Sequence, residues 1–220
     1  MKLKSVYIIT LISFIFSEEI QSENKFRISR IHYSGGGDWY ADPSSLPNLL
    51  DFLSKKTDIE VHNEENVVKI GDTNFNENNY YYLTGHGNVK LEQKEKNILR
   101  TKLLNGAFLH ADDNYGLDKS FRKLMQEIFP DKDLVEIPPS HEIFNIFYKF
   151  PNGLPKIHEH NNQRPQALGL FHEGKLIVLY TYESDLGDGW EDIKVHNIPK
   201  YKHEDALKMG ANIIIYFLSS

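Results

Sequence analysis

Four apolar, strand-like runs in this chain stop abruptly in short polar clusters. Phe26–Tyr33 runs into Ser34-Gly35-Gly36-Gly37-Asp38-Trp39-Tyr40, and Tyr80–Leu83 into Thr84-Gly85-His86-Gly87-Asn88. Ala107–Leu109 runs into His110-Ala111-Asp112-Asp113-Asn114, and Leu176–Tyr182 into Glu183-Ser184-Asp185-Leu186-Gly187-Asp188-Gly189-Trp190. Between these runs lie stretches with helical spacing. Leu46, Leu49, Leu50 and Leu53 fall at i, i+3, i+4 and i+7, with Ser45 as an N-cap and Pro47 in the first turn. Alternating strand and helix signals predict an α/β fold with a mostly parallel sheet. Ligands bind beyond the carboxyl ends of the strands in such sheets, so the four clusters predict one shared site.

The remaining elements follow from the same signals. Ile59–Val61 and Val67–Ile70 read as short strands. Leu91–Asn105 reads as a helix with Leu91, Ile98, Leu99 and Leu103 inward, and Gly106 stops it. Phe121, Leu124, Met125, Ile128 and Phe129 mark a helix face that Pro130 ends. Leu134–Ile137 reads as a strand, and Ser140 as the cap of a short helix carrying Ile143, Phe144 and Phe147. Ala167–Phe171 and Leu176–Tyr182, joined around Glu173-Gly174, predict a late antiparallel hairpin. The last helix uses Leu207, Ala211, Ile214, Ile215 and Leu218.

Composition narrows the function classes. The 220 residues are 40% hydrophobic, enough for one well-buried core. The formal net charge of -6 leaves no basic footprint for nucleic acid. Lys2 and Lys4 followed by apolar Val6–Phe16 read as a signal peptide over residues 1–22, with cleavage near Ser17 or Ser22. A single α/β domain then spans residues 23–220. This predicts a periplasmic or secreted protein, associated with a membrane only through an uncleaved signal sequence. The chain has no cysteine, which excludes disulfides, lipidated cysteine and a cysteine nucleophile.

Each cluster has a chemical and a structural reading. His110, Asp112 and Asp113 are catalytic candidates. Alternation along a strand puts His110 and Asp112 on one side, suited to acid–base work or metal ligation. The other reading has the aspartates and Asn114 making turn hydrogen bonds. His86, between Gly85 and Gly87, is a further catalytic candidate or an incidental residue of a tight turn. Gly35, Gly36, Gly37 and Asp38 match neither a P-loop nor a dinucleotide fingerprint, yet their amides suit an anion nest. Trp39 and Tyr40 offer a stacking surface or a lid. Asn88 and Asn114 join the ligand-binding candidates.

Glu183, Asp185, Asp188, Glu191 and Asp192, with Gly187, Gly189 and Trp190, form an acidic segment that offers the hard oxygen ligands a cation such as calcium prefers, although not in EF-hand order, or else a solvated acidic loop held by the tryptophan. His158 and His160 have metal-pair spacing, with Asp185, Asp188 or His86 as a third ligand. No complete motif supports a metal, and the cofactor stays unassigned. No Gly-x-Ser-x-Gly elbow or His-Glu-x-x-His helix occurs.

Several of these segments together resemble a bacterial family known as domain of unknown function 4159. They are Gly35–Tyr40, Asp42–Pro47, Thr84–Asn88, Leu109–Gly116, Leu154–His160 and Glu183–Asp192. The resemblance runs from about Phe26 to the end of the chain and implies a three-layer, flavodoxin-like fold of the class I glutamine amidotransferase type. A looser similarity links the chain to trehalose-utilisation-type proteins. Amidotransferases place their nucleophilic cysteine about where His110–Asp113 falls, so glutamine hydrolysis by that route is excluded. The resemblance supplies no reaction, and enzyme status is left open. The expectation is an exported domain binding a small polar molecule or glycan, with hydrolase chemistry as one version. The rivals are a non-catalytic envelope module with a protein partner and a metal-dependent hydrolase using His158 and His160.

Overall fold

The computed structural model describes residues 25–220, so the leader expected over residues 1–22 lies outside the described residues. The sheet strands are β1 (Ser29–Ile31), β2 (Asn66–Val68), β3 (Tyr80–Gly85), β4 (Phe108–Asp113), β5 (Val135–Glu136), β6 (Gln166–His172) and β7 (Lys175–Tyr182). Their order is β2-β1-β3-β4-β7-β6-β5. The five strands from β2 to β7 run parallel, and β6 and β5 complete an antiparallel edge. The helices are α1 (Ser45–Lys56), α2 (Gln93–Leu104), α3 (Asp118–Ile128), α4 (Leu186–Trp190), α5 (Ile193–His196) and α6 (Lys200–Ser219). This is the expected mostly parallel three-layer, flavodoxin-like arrangement with a late antiparallel hairpin. Among the described residues no helix is long and apolar enough to cross a membrane.

Strand alternation divides the core in two. Tyr80, Tyr82, Phe108 and Leu179 face a layer built from α1, α6 and Trp190. Tyr81, Leu83, Leu109, Ala111 and Tyr180 face α2 and α3. The leucine stripe of α1 is buried as its spacing predicts, and so are Phe121, Leu124, Met125 and Ile128 of α3. Gly210 lets α6 approach closely. A Cβ there would stand 2.6 Å from Leu49 Cδ1 and 3.0 Å from Trp190.

Several local expectations are corrected. Ser44, not Ser45, occupies the N-cap of α1, while the Ser45 hydroxyl turns back to the Asp42 carbonyl at 2.7 Å. His141, not Ser140, caps the turn at Glu142–Phe144 through its ring nitrogen. Phe147 and Leu218 are exposed. The run from Ile59 to Val61 pairs only through Val61 and Phe26. The largest difference is β4, which continues to Asp113. The polar cluster read as following that strand lies inside it.

Candidate functional site

Because β1, β3, β4 and β7 are parallel, all four clusters leave the same edge of the sheet. The strand order reverses between β1 and β3, so their loops flank the topological switch point.

These two loops pack on each other. Gly37 N donates to Asn88 O at 2.9 Å, Asp38 N to His86 O at 3.3 Å and Lys90 N to Ser34 O at 2.6 Å. A Cβ at Gly37 would meet Tyr33 Oη at 2.7 Å, and one at Gly35 would meet Asn88 O at 2.8 Å. The glycines thus serve close loop contact, and the Gly37 and Asp38 amides are spent on carbonyls rather than turned to an anion. Gly85 and Gly87 have positive φ, 140° and 82°, where glycine alone is unstrained. His86 sits at the half-exposed rim, its Nδ1 3.1 Å from Asp38 Oδ2 and its amide bonded to Asp38 Oδ1. Trp39 stacks on His32 with ring centroids 4.2 Å apart, and Tyr40 is exposed. Gly35 and Asn88 line a cavity of about 530 Å³ on the α2 and α3 side, edged by Lys90, Lys96, Lys119 and Lys123.

The α1 and α6 side holds the dense polar chemistry. His110 is fully buried between Tyr82 and Trp190. Its Nε2 lies 3.0 Å from Thr181 Oγ1, and burial pushes its pKa down to about 3, so the ring is neutral. Asp112 is also fully buried. Its Oδ1 accepts from the Thr181 hydroxyl and its Oδ2 from Gly187 N at 2.7 Å. Burial outweighs those bonds and raises its pKa to about 7. Asp113 points to the other face. It accepts from Tyr115 N at 3.2 Å and Leu117 N at 3.0 Å, anchoring the entry to α3. Asn114 bridges Thr84 and Asp42. The structure therefore links Asp112 to the acidic segment through Gly187, encloses His110 beneath it, and leaves His86 on the rim.

The acidic segment folds over this centre. Asp185 has φ of 57° and a side chain only 1% exposed. Neither of its oxygens accepts a hydrogen bond among the described residues. His160 Nε2 approaches Asp185 Oδ2 within ion-pair range but off hydrogen-bond alignment. Burial first, then the charges of Asp112 and Asp188, raises the Asp185 pKa to about 9. Asp188 Oδ2 lies 2.8 Å from His158 Nδ1 and 3.5 Å from His196 Nδ1. Glu191 Oε2 lies 3.2 Å from His196 Nε2, while its Oε1 accepts from Ser44 N and Oγ, each at 3.0 Å. Glu183 takes no part in this cluster. It holds the 156–161 loop through Lys156 Nζ at 2.7 Å and Asn161 Nδ2 at 2.9 Å. Trp190 donates to Ala206 O at 2.8 Å and walls the site from below.

Asp42 completes the set. Its loop is fastened by buried Arg30, which donates to the carbonyls of Ala41 at 2.7 Å and of Trp39 and Asp42 at 3.3 Å. Burial raises the Asp42 pKa to about 6. Sequence reasoning did not single out Asp42, His196 or Tyr115. Tyr115 stacks on His160 at 5.0 Å, beside the cluster. Glu191 was visible as part of the acidic segment, and the one signal for Asp42 was its place in the Asp42–Pro47 segment.

A family model described as domain of unknown function (DUF4159) matches residues 27–218. The chain belongs to that family. No curated protein matches it. In this DUF4159 domain, then, the segments Gly35–Tyr40, Thr84–Asn88, Leu109–Gly116 and Glu183–Asp192 all meet one edge of the sheet.

Proposed function

We propose that this chain is an exported α/β domain that binds a small polar molecule or glycan at the carboxyl edge of its sheet and hydrolyses it. The observation that carries the reading is Asp185, a buried carboxyl group whose oxygens are unengaged by any hydrogen bond and face the His158–His160 loop. Burial raises the pKa of Asp185 to about 9 and of Asp42 to about 6, which marks this carboxyl cluster as a place where ionisation is costly until a ligand compensates it. Tyr115 is half exposed on the rim and supplies a flat face for a sugar ring. The leader pattern of residues 1–22 supports a periplasmic or secreted location.

The test is turnover of p-nitrophenyl esters, phosphates and glycosides by wild type and Asp185→Asn. At least one class should be cleaved, with a loss of about 100-fold in the variant and an unchanged circular dichroism spectrum. Inertness towards all three classes, or full activity in Asp185→Asn, would refute the reading. A second reading, a cell-envelope protein-interaction module, is favoured by exposed Ile193, Val195 and Tyr201 beside the same loop. It gains if Val195→Asp releases a co-purifying envelope protein while hydrolysis is absent.

A further inference from the structure

We propose that the His/carboxylate cluster is a two-ion site for divalent transition metals, bridged by Asp188. The ligand atoms of His158, His160 and Asp185 all lie within 4.8 Å of one another. So do those of Asp42, Glu191 and His196. The two sets share no residue. Asp188 stands between them and groups with His158 and His196 in the same way. Its Oδ2 is 2.8 Å from His158 Nδ1 in one set and 3.5 Å from His196 Nδ1 in the other. With Asp188 as a bridge, each ion gains a fourth protein ligand, the number that tetrahedral sites use.

Charge makes the case independently of spacing. Asp42, Asp185, Asp188 and Glu191 are all buried, and among the described residues none has a lysine or arginine ion-pair partner. Nearby Arg30 is committed to Glu65 and backbone carbonyls, and Lys156 to Glu183 and Glu159. Buried carboxylates without cations are costly. Two divalent ions would carry four positive charges, matching these four carboxylates with three neutral imidazoles. The unpartnered oxygens of Asp185, and the His160 Nε2 atom that lacks a hydrogen bond, are donors such ions would take up.

The surroundings fit ligands held in place. Ser44 fixes Glu191 by its Oε1, leaving Oε2 towards His196. Asn114 holds Asp42 by Oδ2. Tyr115 braces the His160 ring. Such outer contacts orient metal ligands and tune them. With the bridge counted, one subsite offers two imidazoles and two carboxylates, the other one imidazole and three carboxylates. That mixture suits zinc or manganese better than calcium, which takes oxygen ligands alone.

The experiment uses the full chain without a histidine tag. It is loaded with Zn²⁺ alone or Mn²⁺ alone, freed of unbound metal and analysed by inductively coupled plasma mass spectrometry. Wild type should retain two equivalents of at least one of these metals per chain. His160→Gln and His196→Gln, both at partly exposed positions, should each retain one and show wild-type circular dichroism. The double variant should retain none. One equivalent or fewer of either metal in wild type overturns the proposal. So does loss of both ions from a folded single variant, or retention of both in either. Metal content is read without substrate, so this inference and the hydrolytic reading can fail separately.

Discussion

Asp112 is the position where burial and ionisation are set most directly against each other. It is fully buried, and its folded-state pKa stands at about 7 against an ordinary value of 3.8. Between those values the unfolded chain has released its proton while the folded chain still holds it. Stability from this group is therefore complete at pH values below the ordinary aspartate range. It is lost as pH rises through the folded-state value. Each pH unit in that window is worth about 1.4 kcal/mol per proton, so going from about pH 5 to about pH 8 removes roughly 2–3 kcal/mol. Asp112→Asn removes this loss. The carboxamide oxygen can accept from Gly187 N, and its NH₂ can face Thr181 Oγ1, whose hydroxyl then donates to Ala111 O, now 3.2 Å away. The variant should match wild type within about 1 kcal/mol near pH 5 and exceed it by roughly 2 kcal/mol near pH 8. Urea unfolding followed by circular dichroism, in the presence of a chelator, measures both differences. The burial cost at Asp42 and Asp185 is common to both proteins, while loss of the Asp112 charge also eases ionisation of Asp185 and so adds to the gain of the variant at high pH. Equal pH dependence in the two proteins would refute the assignment of the charge cost to Asp112. Instability of the variant at both pH values would refute the rewired hydrogen bonds.

Two further substitutions probe the scaffold of the site. Gly187→Ala would place a methyl group 2.7 Å from Asp42 Oδ2 and 3.0 Å from Tyr82 Oη. Overpacking of this kind costs about 1–3 kcal/mol, seen as a lower urea midpoint at unchanged slope. Asp113→Ala removes the acceptor for Tyr115 N and Leu117 N. The loss should be about 1–2 kcal/mol by the same unfolding measurement, comparable to a lost helix cap.

The helices were legible because their evidence is local. The leucine stripe of α1 and the apolar face of α3 sit within one or two turns, and their burial follows from spacing alone. The parallel sheet and late hairpin were legible from the alternation of elements. The continuation of β4 through His110–Asp113 was not. Polar residues stay in a buried strand only if partners satisfy them, and the partners of Asp112 are Thr181 and Gly187, 69 and 75 positions away. The same distance problem hid most of the candidate site. His158 and His160 were visible as a spaced pair, and Asp185 and Asp188 as acidic neighbours. Asp42 and His196 come together only because β1 and β7 end on one edge and α4 folds back across it. The glycine-rich loop after β1 looked like an anion cradle, but its amides pair with the loop after β3, a contact no local pattern announces.

Arg30 holds the Asp42 loop in a way that separates its shape from its side chains. The guanidinium binds the carbonyls of Trp39, Ala41 and Asp42, groups that every residue type presents. The backbone path that delivers Asp42 is therefore held through groups that do not depend on the side chains at 39 and 40. The fork geometry of arginine is what makes this work, and a lysine point charge would not reproduce it. The approach to this edge is thus fixed largely by one buried side chain that grips three main-chain carbonyls of the loop.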